Sequence, residues 1–448
     1  MRQTAIIIFL TVLCCHSALA HEENERSDTD SARGEKVLSV FNVVTFPNDA
    51  CAATNGYNGT CFTSSECTSK GGTASGTCAS SFGVCCVFSI SCGDSSSANN
   101  TYALVSTYTT TTDKDPCTYT FCKANSEVCK LRIDFDTMVL ATPVTYAVNP
   151  TAAHTYLHGA YIGDCTTDSL TVSNPGGSSP PTICGTNTGQ HMWVPASDSC
   201  NQINIDIDTG STGTTRKWQI KVTQYECGNM KMPEQDCLQY HTASEGINCN
   251  KPYIAALYPL SPGTIASFNW DTSATTIAAS QTHLSNQYYD ICIRRARGYC
   301  SVCYSPFITA PQASYGVGAS SADPAQTSTV GSQCTGVTSI NAIEGSQVGY
   351  GDYLEIAALQ TAPATSTTIA GVSRICGNFW TGTSTGTAHA TTCSFAKPFK
   401  IGVHFDADDT VFSPVDAAKL TNSENNPSAS GSGIGYTGFY LNYWQATC

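Results

Sequence analysis

Twenty-five cysteines in a chain of 448 residues constrain this protein more than any other feature. Six of them, Cys51, Cys61, Cys67, Cys78 and the adjacent pair Cys85-Cys86, crowd into residues 51–86. A segment that short has too small an apolar core to fold unaided, so three disulfides must carry it. Turn dipeptides such as Asn55-Gly56, Asn58-Gly59 and Gly71-Gly72 lie between them, and Val87-Phe88 closes the segment as a short strand. Disulfides persist in oxidising compartments, and the first residues provide the route there. Met1-Arg2, an apolar run from Ala5 through Cys15 and the small-residue exit Ala18-Leu19-Ala20 have the layout of a cleaved secretory signal, residues 1–20. Cleavage after Ala20 removes Cys14 and Cys15 and leaves an odd number of cysteines. One thiol is then left over, free or bridged to another chain, which opens a route to an oligomer.

Charge narrows the partners. Lys and Arg number 21 against 34 Asp and Glu, a formal net charge of −13. With no basic field to neutralise phosphates, nucleic acid and anionic membrane surfaces are excluded on electrostatic grounds. No stretch after the signal approaches the roughly 18 apolar residues of a membrane span, so no membrane anchor is expected. Residues 21–50 open as an acidic, polar run with little to bury, which predicts a disordered linker.

Beyond Cys92 the texture changes. Leu131-Arg132-Ile133-Asp134-Phe135-Asp136, Ile203-Asn204-Ile205-Asp206-Ile207-Asp208 and Trp218-Gln219-Ile220-Lys221-Val222 alternate with a period of two, the signature of half-buried strands. Helical spacing is scarce, and residues 416–420 offer the best short helix. The chain also repeats itself. Thr182-Ile183-Cys184-Gly185 answers Arg374-Ile375-Cys376-Gly377, and the segment ending Gln224-Tyr225-Glu226-Cys227 answers the one ending Gln445-Ala446-Thr447-Cys448. Each closing strand ends in Gln, two residues, Cys. Two homologous β-domains therefore follow one small module.

These residues carry a resemblance. Cys92-Gly93, Cys117, the alternating strand 131–135, Cys165-Thr166-Thr167-Asp168, Cys184-Gly185 and the Trp218 strand resemble a CUB domain, and so do 263–269, 351–356, Cys376-Gly377 and 438–441 in the second half. The strings 71–78, 83–88 and 184–191 are similar to secreted arthropod proteins with a clip-like cysteine module ahead of two CUB domains. The resemblance implies an all-β chain: two antiparallel jelly-roll β-sandwiches, CUB-like, over 92–230 and 237–448, preceded by a clip-like disulfide-rich module over 51–88. It also implies first-to-fifth, second-to-fourth and third-to-sixth bridges in the module. In the domains, the repeat pairs Cys92 with Cys117, Cys122 with Cys129, Cys165 with Cys184, Cys200 with Cys227, Cys292 with Cys300, Cys334 with Cys376 and Cys393 with Cys448. Cys237, Cys249 and Cys303 remain, and Cys237 with Cys249 is the favoured pair.

Catalytic machinery is hard to assemble from what is left. Thr387-Ala388-His389-Ala390 faintly matches the histidine motif of trypsin-like proteases, but no Gly-Asp-Ser-Gly loop follows to provide the nucleophile. Gly382-Thr383-Ser384-Thr385-Gly386 fits G-x-S-x-G inside a Thr/Gly/Ser-rich loop without the strand-to-helix elbow. His154 and His158 lack the helix and third ligand that zinc requires, and His191 reads as structural. No cofactor is implied except calcium, which many CUB domains hold with a Glu, an Asp three residues past the third cysteine and an Asp in a later loop. Asp168 and Asp208 match the second and third ligands, whereas the Glu position falls near Ala141. In the second domain the candidate ligands are Asp352, Asp406, Asp408 and Asp409, the alternative being a solvated acidic loop.

Asn58-Gly59-Thr60 and Asn99-Asn100-Thr101 are N-glycosylation acceptors, at Asn58 and Asn99. Tyr288-Tyr289 and Trp380 are candidates for an exposed patch, with core placement favoured, and Arg294-Arg295-Ala296-Arg297 reads as a solvated hairpin loop. Taken together the sequence reads as a secreted, extracellular, non-catalytic recognition protein whose sandwich loops bind an extracellular protein or glycan. The rival reading is a structural, disulfide-linked component of extracellular matrix or cuticle.

Overall fold

A computed structural model describes residues 45–109, 113–145, 163–174, 177–208, 214–233, 236–242, 262–278, 281–309, 313–317, 329–330, 352–361, 372–376, 380–381, 389–407 and 437–447. The expected signal, nearly all of the expected linker, the expected helix at 416–420, His154, His158 and residues 382–386 lie outside them.

The module comprises β1 (Ala50–Ala52), β2 (Asn58–Phe62), α1 (Ser64–Ser69), β3 (Thr73–Cys78) and β4 (Gly83–Ile90). Its helix, absent from the sequence reading, is set by a capping box: Thr63 Oγ1 accepts from Glu66 N–H at 3.2 Å and Glu66 accepts from Thr63 N–H at 3.0 Å. Cys51–Cys85, Cys61–Cys78 and Cys67–Cys86 are bonded, which is the first-to-fifth, second-to-fourth, third-to-sixth pattern. Close packing around these bridges leaves no room beside them. A Cβ at Gly72 would fall on Cys86 Sγ, so this turn admits glycine alone.

The first sandwich contains β5 (Ser95–Ser96), β6 (Thr101–Val105), β7 (Cys117–Phe121), β8 (Val128–Val139), β9 (Ser169–Ser173), β10 (His191–Pro195), β11 (Asn201–Asp206) and β12 (Lys217–Glu226). One sheet runs β6-β12-β8-β10 and the other β5-β7-β11-β9. The alternation read from sequence decides the faces: Leu131, Ile133 and Phe135, and Trp218, Ile220 and Val222, are all buried between the sheets. The module does not stand apart. β4 pairs in parallel with β6, Phe88 opposite Thr101, so module and first sandwich share one sheet of eight strands.

The second sandwich contains β13 (Gln239–Thr242), β14 (Gly263–Ala266), β15 (Gln287–Arg294), β16 (Tyr299–Pro306), β17 (Tyr315–Gly316), β18 (Thr329–Val330), β19 (Tyr353–Thr361), β20 (Val372–Cys376), β21 (Thr392–Ser394), β22 (Phe399–Phe405) and β23 (Gly438–Thr447). Its order β14-β23-β16-β21 and β13-β15-β22-β19 reproduces the first sandwich strand for strand. Two features depart from plain antiparallel sandwiches. β5 with β7 and β13 with β15 pair in parallel. β19 serves both sheets: Leu354 pairs with β22 and Gln360 with β21, and the corner between them is Ala358 at φ 53.

Pairing in the domains corrects four expected bridges. Cys122 is bonded to Cys200 and Cys129 to Cys227, in place of Cys122 with Cys129 and Cys200 with Cys227. The reason is topological: β7 and β8 enter different sheets, so cysteines close in sequence diverge, and each meets its neighbour within a sheet. Asn201 lies opposite Phe121, which brings Cys200 to Cys122. Cys292 is bonded to Cys237 rather than Cys300, and Cys393 to Cys303, its register partner, rather than Cys448. Cys237 with Cys249 is therefore also overturned. Cys92–Cys117 and Cys165–Cys184 are bonded, and Cys300 and Cys376 are disulfide-bonded as well. Cys249, Cys334 and Cys448 lie outside the described residues.

The repeated Gln has one role in both halves. Gln224 accepts from Ala124 N–H at 2.8 Å and donates to the Cys122 and Ser97 carbonyls, while Gln445 accepts from Ala296 N–H and donates to the Arg294 carbonyl, each at 2.8 Å. Each amide fastens the segment in which the chain crosses between sheets. The Arg294–Arg297 run is that crossing, not a hairpin, because β15 pairs with β13 and β22 whereas β16 pairs with β21 and β23. Gln224→Ala removes the partner of these part-buried backbone groups and is expected to lower unfolding free energy by roughly 1 kcal/mol in urea titrations.

Candidate functional site

The string Cys184–His191 fastens the two sandwiches together. Gly185 adopts φ +73, and a Cβ there would collide with Asn269 Oδ1. That oxygen accepts from Thr186 N–H at 3.1 Å, and Asn187 Oδ1 returns the bond by accepting from Asn269 N–H at 2.8 Å. Gln190 donates to the Ser267 carbonyl at 3.0 Å, and Gln287 of the second sandwich donates to the Thr182 carbonyl at 3.0 Å. At the sheet edges Trp193 N–H donates to the Leu238 carbonyl at 2.7 Å and Tyr240 N–H to His191 Nε2 at 3.0 Å. One apolar core cluster runs through both sandwiches, from Phe135 and Trp218 to Ile291 and Phe439. The two domains form a single docked block.

His191 and His241 meet at this junction, ring centroids 5.0 Å apart. Burial holds the His191 pKa well below its ordinary value, with His241 and Arg132 adding repulsion, and burial with Arg132 brings His241 down to about 4. Both rings are neutral in the folded protein at pH values where the unfolded chain protonates them.

Beside the latch lies a buried charge pair. Asp168, 1% exposed, receives Arg216 Nε at 2.6 Å on one oxygen and Nη2 at 2.9 Å on the other. Ala141 N–H and Asp208 N–H donate to the same two oxygens at 2.7 and 3.2 Å, and Arg216 Nη2 also donates to the Asp208 carbonyl at 3.0 Å. These hydrogen bonds raise the Arg216 pKa above its already high value. Four N–H donors fill the carboxylate, and a guanidinium stands where a second cation would have to enter. The residues of the first sandwich therefore do not fit calcium at Asp168 and Asp208.

In the second sandwich Asp352 and Asp406 are brought together, though through the Asp406 backbone, whose N–H donates to Asp352 Oδ1 at 2.8 Å. The other carboxylate oxygen faces His283 Nε2 at 3.2 Å, both side chains being buried. Asp408 and Asp409 lie outside the described residues. No cluster of three His, Cys, Asp or Glu suited to a metal occurs among the described residues.

The remaining candidates sort by exposure. Asn58 is exposed at the start of β2, whereas Asn99 is half-buried, its side-chain oxygen accepting from Gln224 N–H at 2.8 Å and Asn100 N–H at 2.9 Å. His389 Nδ1 accepts from Trp380 N–H at 3.0 Å, and Trp380 is fully buried with Nε1 donating to Thr392, so the tryptophan contributes to no surface. Tyr289 is core, but Tyr288 is 59% exposed. Across the outer face of β15, β22, β19 and β20 a row forms of which sequence reasoning offered only Tyr288, because its members are scattered between positions 288 and 404 and only strand pairing joins them. Tyr288 meets the edge of His404, His404 stacks on Tyr353 with centroids 4.5 Å apart, and the Arg374 guanidinium covers the other face of Tyr353 at 4.4 Å. Glu355 lies 3.5 Å from His404, and burial lowers the His404 pKa against the pull of that carboxylate. A separate polar groove of about 730 Å³ separates the module from the first sandwich, lined by Phe62, Lys70, Asn99, Asn125 and Glu226.

Two outcomes test the latch. Gly185→Ala is expected to separate the sandwiches, raising the radius of gyration in small-angle scattering and admitting protease between them; an unchanged radius would contradict the latch. Because His191 and His241 have depressed folded-state values, the unfolded chain binds more protons below about pH 6.5. Stability from this junction is thus complete above that pH and falls as pH drops toward about 4, measurable as a pH-dependent melting temperature that His191→Phe flattens.

Residues 258–446 match the family model for the animal CUB domain. No curated protein matches the chain. Among solved structures it is similar to the CUB1-EGF-CUB2 domains of rat MASP-1, at 10% identity and TM-score 0.20, over 79% of this chain and 99% of that one. The CUB1-EGF-CUB2 domain of human MASP-1/3 matches at 9% identity and TM-score 0.20, covering 77% and 99%. The full extracellular region of zebrafish Gpr126/Adgrg6 matches at 11% identity and TM-score 0.19, covering 81% and 37%.

Proposed function

We propose that this protein, which carries an animal CUB domain over residues 258–446, is a secreted, non-catalytic recognition protein that binds an extracellular protein through the outer face of its second sandwich. CUB domains are typically extracellular interaction modules, and the density of disulfides fits an oxidising compartment. The observation that supports the face is the row Tyr288–His404–Tyr353–Arg374 with Glu355 beside it. Exposed aromatic and arginine side chains held in place by their neighbours are the residue types that dominate binding energy at protein interfaces, since little side-chain entropy is lost when a partner covers them. The docked block adds to this by fixing the face relative to the module and its groove, so that one partner can touch more than one part of the chain.

The matrix or cuticle reading draws less support. It asks for intermolecular bridges, and every cysteine among the described residues is disulfide-bonded. Cys249, Cys334 and Cys448 are the positions on which it would depend.

The test is a capture experiment from native extracellular fluid with the mature protein and a Tyr288→Ala/Arg374→Ala variant, which leaves core residues untouched. Partners retained by the natural chain are expected to be lost or weakened at least tenfold with the variant. Equal retention would remove this face from the binding surface, and recovery of insoluble disulfide-linked matrix alone would favour the structural reading.

A further inference from the structure

What Asp168 connects is more informative than its burial. Ala141 follows β8, Asp168 precedes β9, Asp208 follows β11 and Arg216 precedes β12, so four chain segments from both sheets converge on one carboxylate and one guanidinium at the same end of the sandwich. Binding segments from separate strands into one knot is what a bound metal ion does in a loop cluster: it supplies positive charge to converging oxygens that would otherwise repel or remain unpaired. Here the oxygens are the two of Asp168 and the Asp208 carbonyl, and the charge on them comes from Arg216.

The second sandwich repeats the frame independently. Asp352 precedes β19 as Asp168 precedes β9, and Asp406 follows β22 as Asp208 follows β11. Asp406 N–H donates to Asp352 Oδ1 as Asp208 N–H donates to Asp168 Oδ1. Arg216 has no counterpart in sequence there, since Thr437 precedes β23, and a different basic side chain, His283, stands against the carboxylate. The aspartate and its amide donor are common to the two copies, and the basic group is supplied from a different strand connection in each.

We infer that Arg216 is an internal cation doing the structural work of a bound metal, so that this end of the first sandwich is closed to divalent ions and is held together without them. The knot also reaches the latch. Ala141, whose N–H is held by Asp168, accepts from Gly185 N–H at 2.9 Å, and Gly185 is the residue packed on Asn269. The internal cation thus supports the docking of the two sandwiches as well as its own loops.

The experiment compares melting temperatures of the full secreted chain, Asp168→Asn, Arg216→Ala, and Asp168→Asn/Arg216→Ala, each in EDTA, in millimolar calcium chloride and in tens of millimolar guanidinium chloride. The natural chain is expected to show no calcium or EDTA dependence that Asp168→Asn abolishes. Arg216→Ala is expected to melt on the order of 10 °C lower and to recover part of that loss in guanidinium or calcium, a recovery absent from the double variant because the carboxylate is gone. Three results would overturn the inference: EDTA lowering the melting temperature of the natural chain through Asp168, an Arg216→Ala chain as stable as the natural one, or an Arg216→Ala chain that neither cation stabilises. Should Arg216→Ala fail to be secreted, Arg216→Lys replaces it. A point charge without the fork is expected to give an intermediate melting temperature and no calcium response, whereas a calcium-stabilised Arg216→Lys would count against an occupied cation position.

Discussion

Contact between the Gly185 main chain and the Asn269 side chain organises the molecule. Only a residue without Cβ can hold φ +73 there and let Asn269 Oδ1 close in, and that approach allows Thr186 and Asn187 to exchange hydrogen bonds with Asn269. Both buried carboxylates lean on this point. From the first sandwich, Asp168 holds Ala141, which holds Gly185. From the second, Asn269 Nδ2 donates to the Thr282 carbonyl at 2.8 Å, next to His283 and its partner Asp352. Polar groups buried at this depth are costly unless paired, and Asn187, Gln190 and Asn269 find their partners across the junction. The result is a chain of mutual dependence across two domains, in which apolar contact between the sandwiches provides cohesion and the polar network fixes the angle.

Much of this was written in the sequence in a form that could be read as pattern but not as purpose. The internal repeat announced two copies of one strand order, and the order is indeed common to both. The Gln-x-x-Cys ending was visible in each copy, yet that its amide fastens the crossing between sheets required the backbone of Ala124 and Ala296 beside it. The 184–191 string stood out as specific without any indication that it faces the other domain. Even α1 has its mark in the sequence, Thr63-x-x-Glu66, a capping-box start signal set among the cysteines of that segment.

What escaped was whatever depends on which sheet a strand enters. The spacing of Cys122 and Cys129 recurs at Cys292 and Cys300, but β7 and β8 part company between the first two, so the repeat marked equivalent cysteines and not bonded ones. Arg216 stands 48 residues from Asp168 at the head of a strand where lysine and arginine are ordinarily solvated, and nothing local marks it as buried. The row from Tyr288 to Arg374 likewise exists only through the register of four strands. Local chemistry was legible, and cross-strand chemistry waited on topology.

The parallel seam between β4 and β6 alters what cleavage could do to this chain. Residues 91–100 join the two strands, and a cut there would ordinarily free the module preceding it. Here β4 would still be paired with β6 from Phe88 to Ile90, Asn58 N–H would still donate to the Tyr102 hydroxyl at 2.9 Å, and Tyr57 would still lie against the Tyr102 ring. Scission and release are therefore separate events. After a cut beyond Cys92 the Cys92–Cys117 bridge would also join the fragments, so the nicked molecule would run as two pieces only once reduced and denatured, and its module would stay in place as part of the sheet it helped to build.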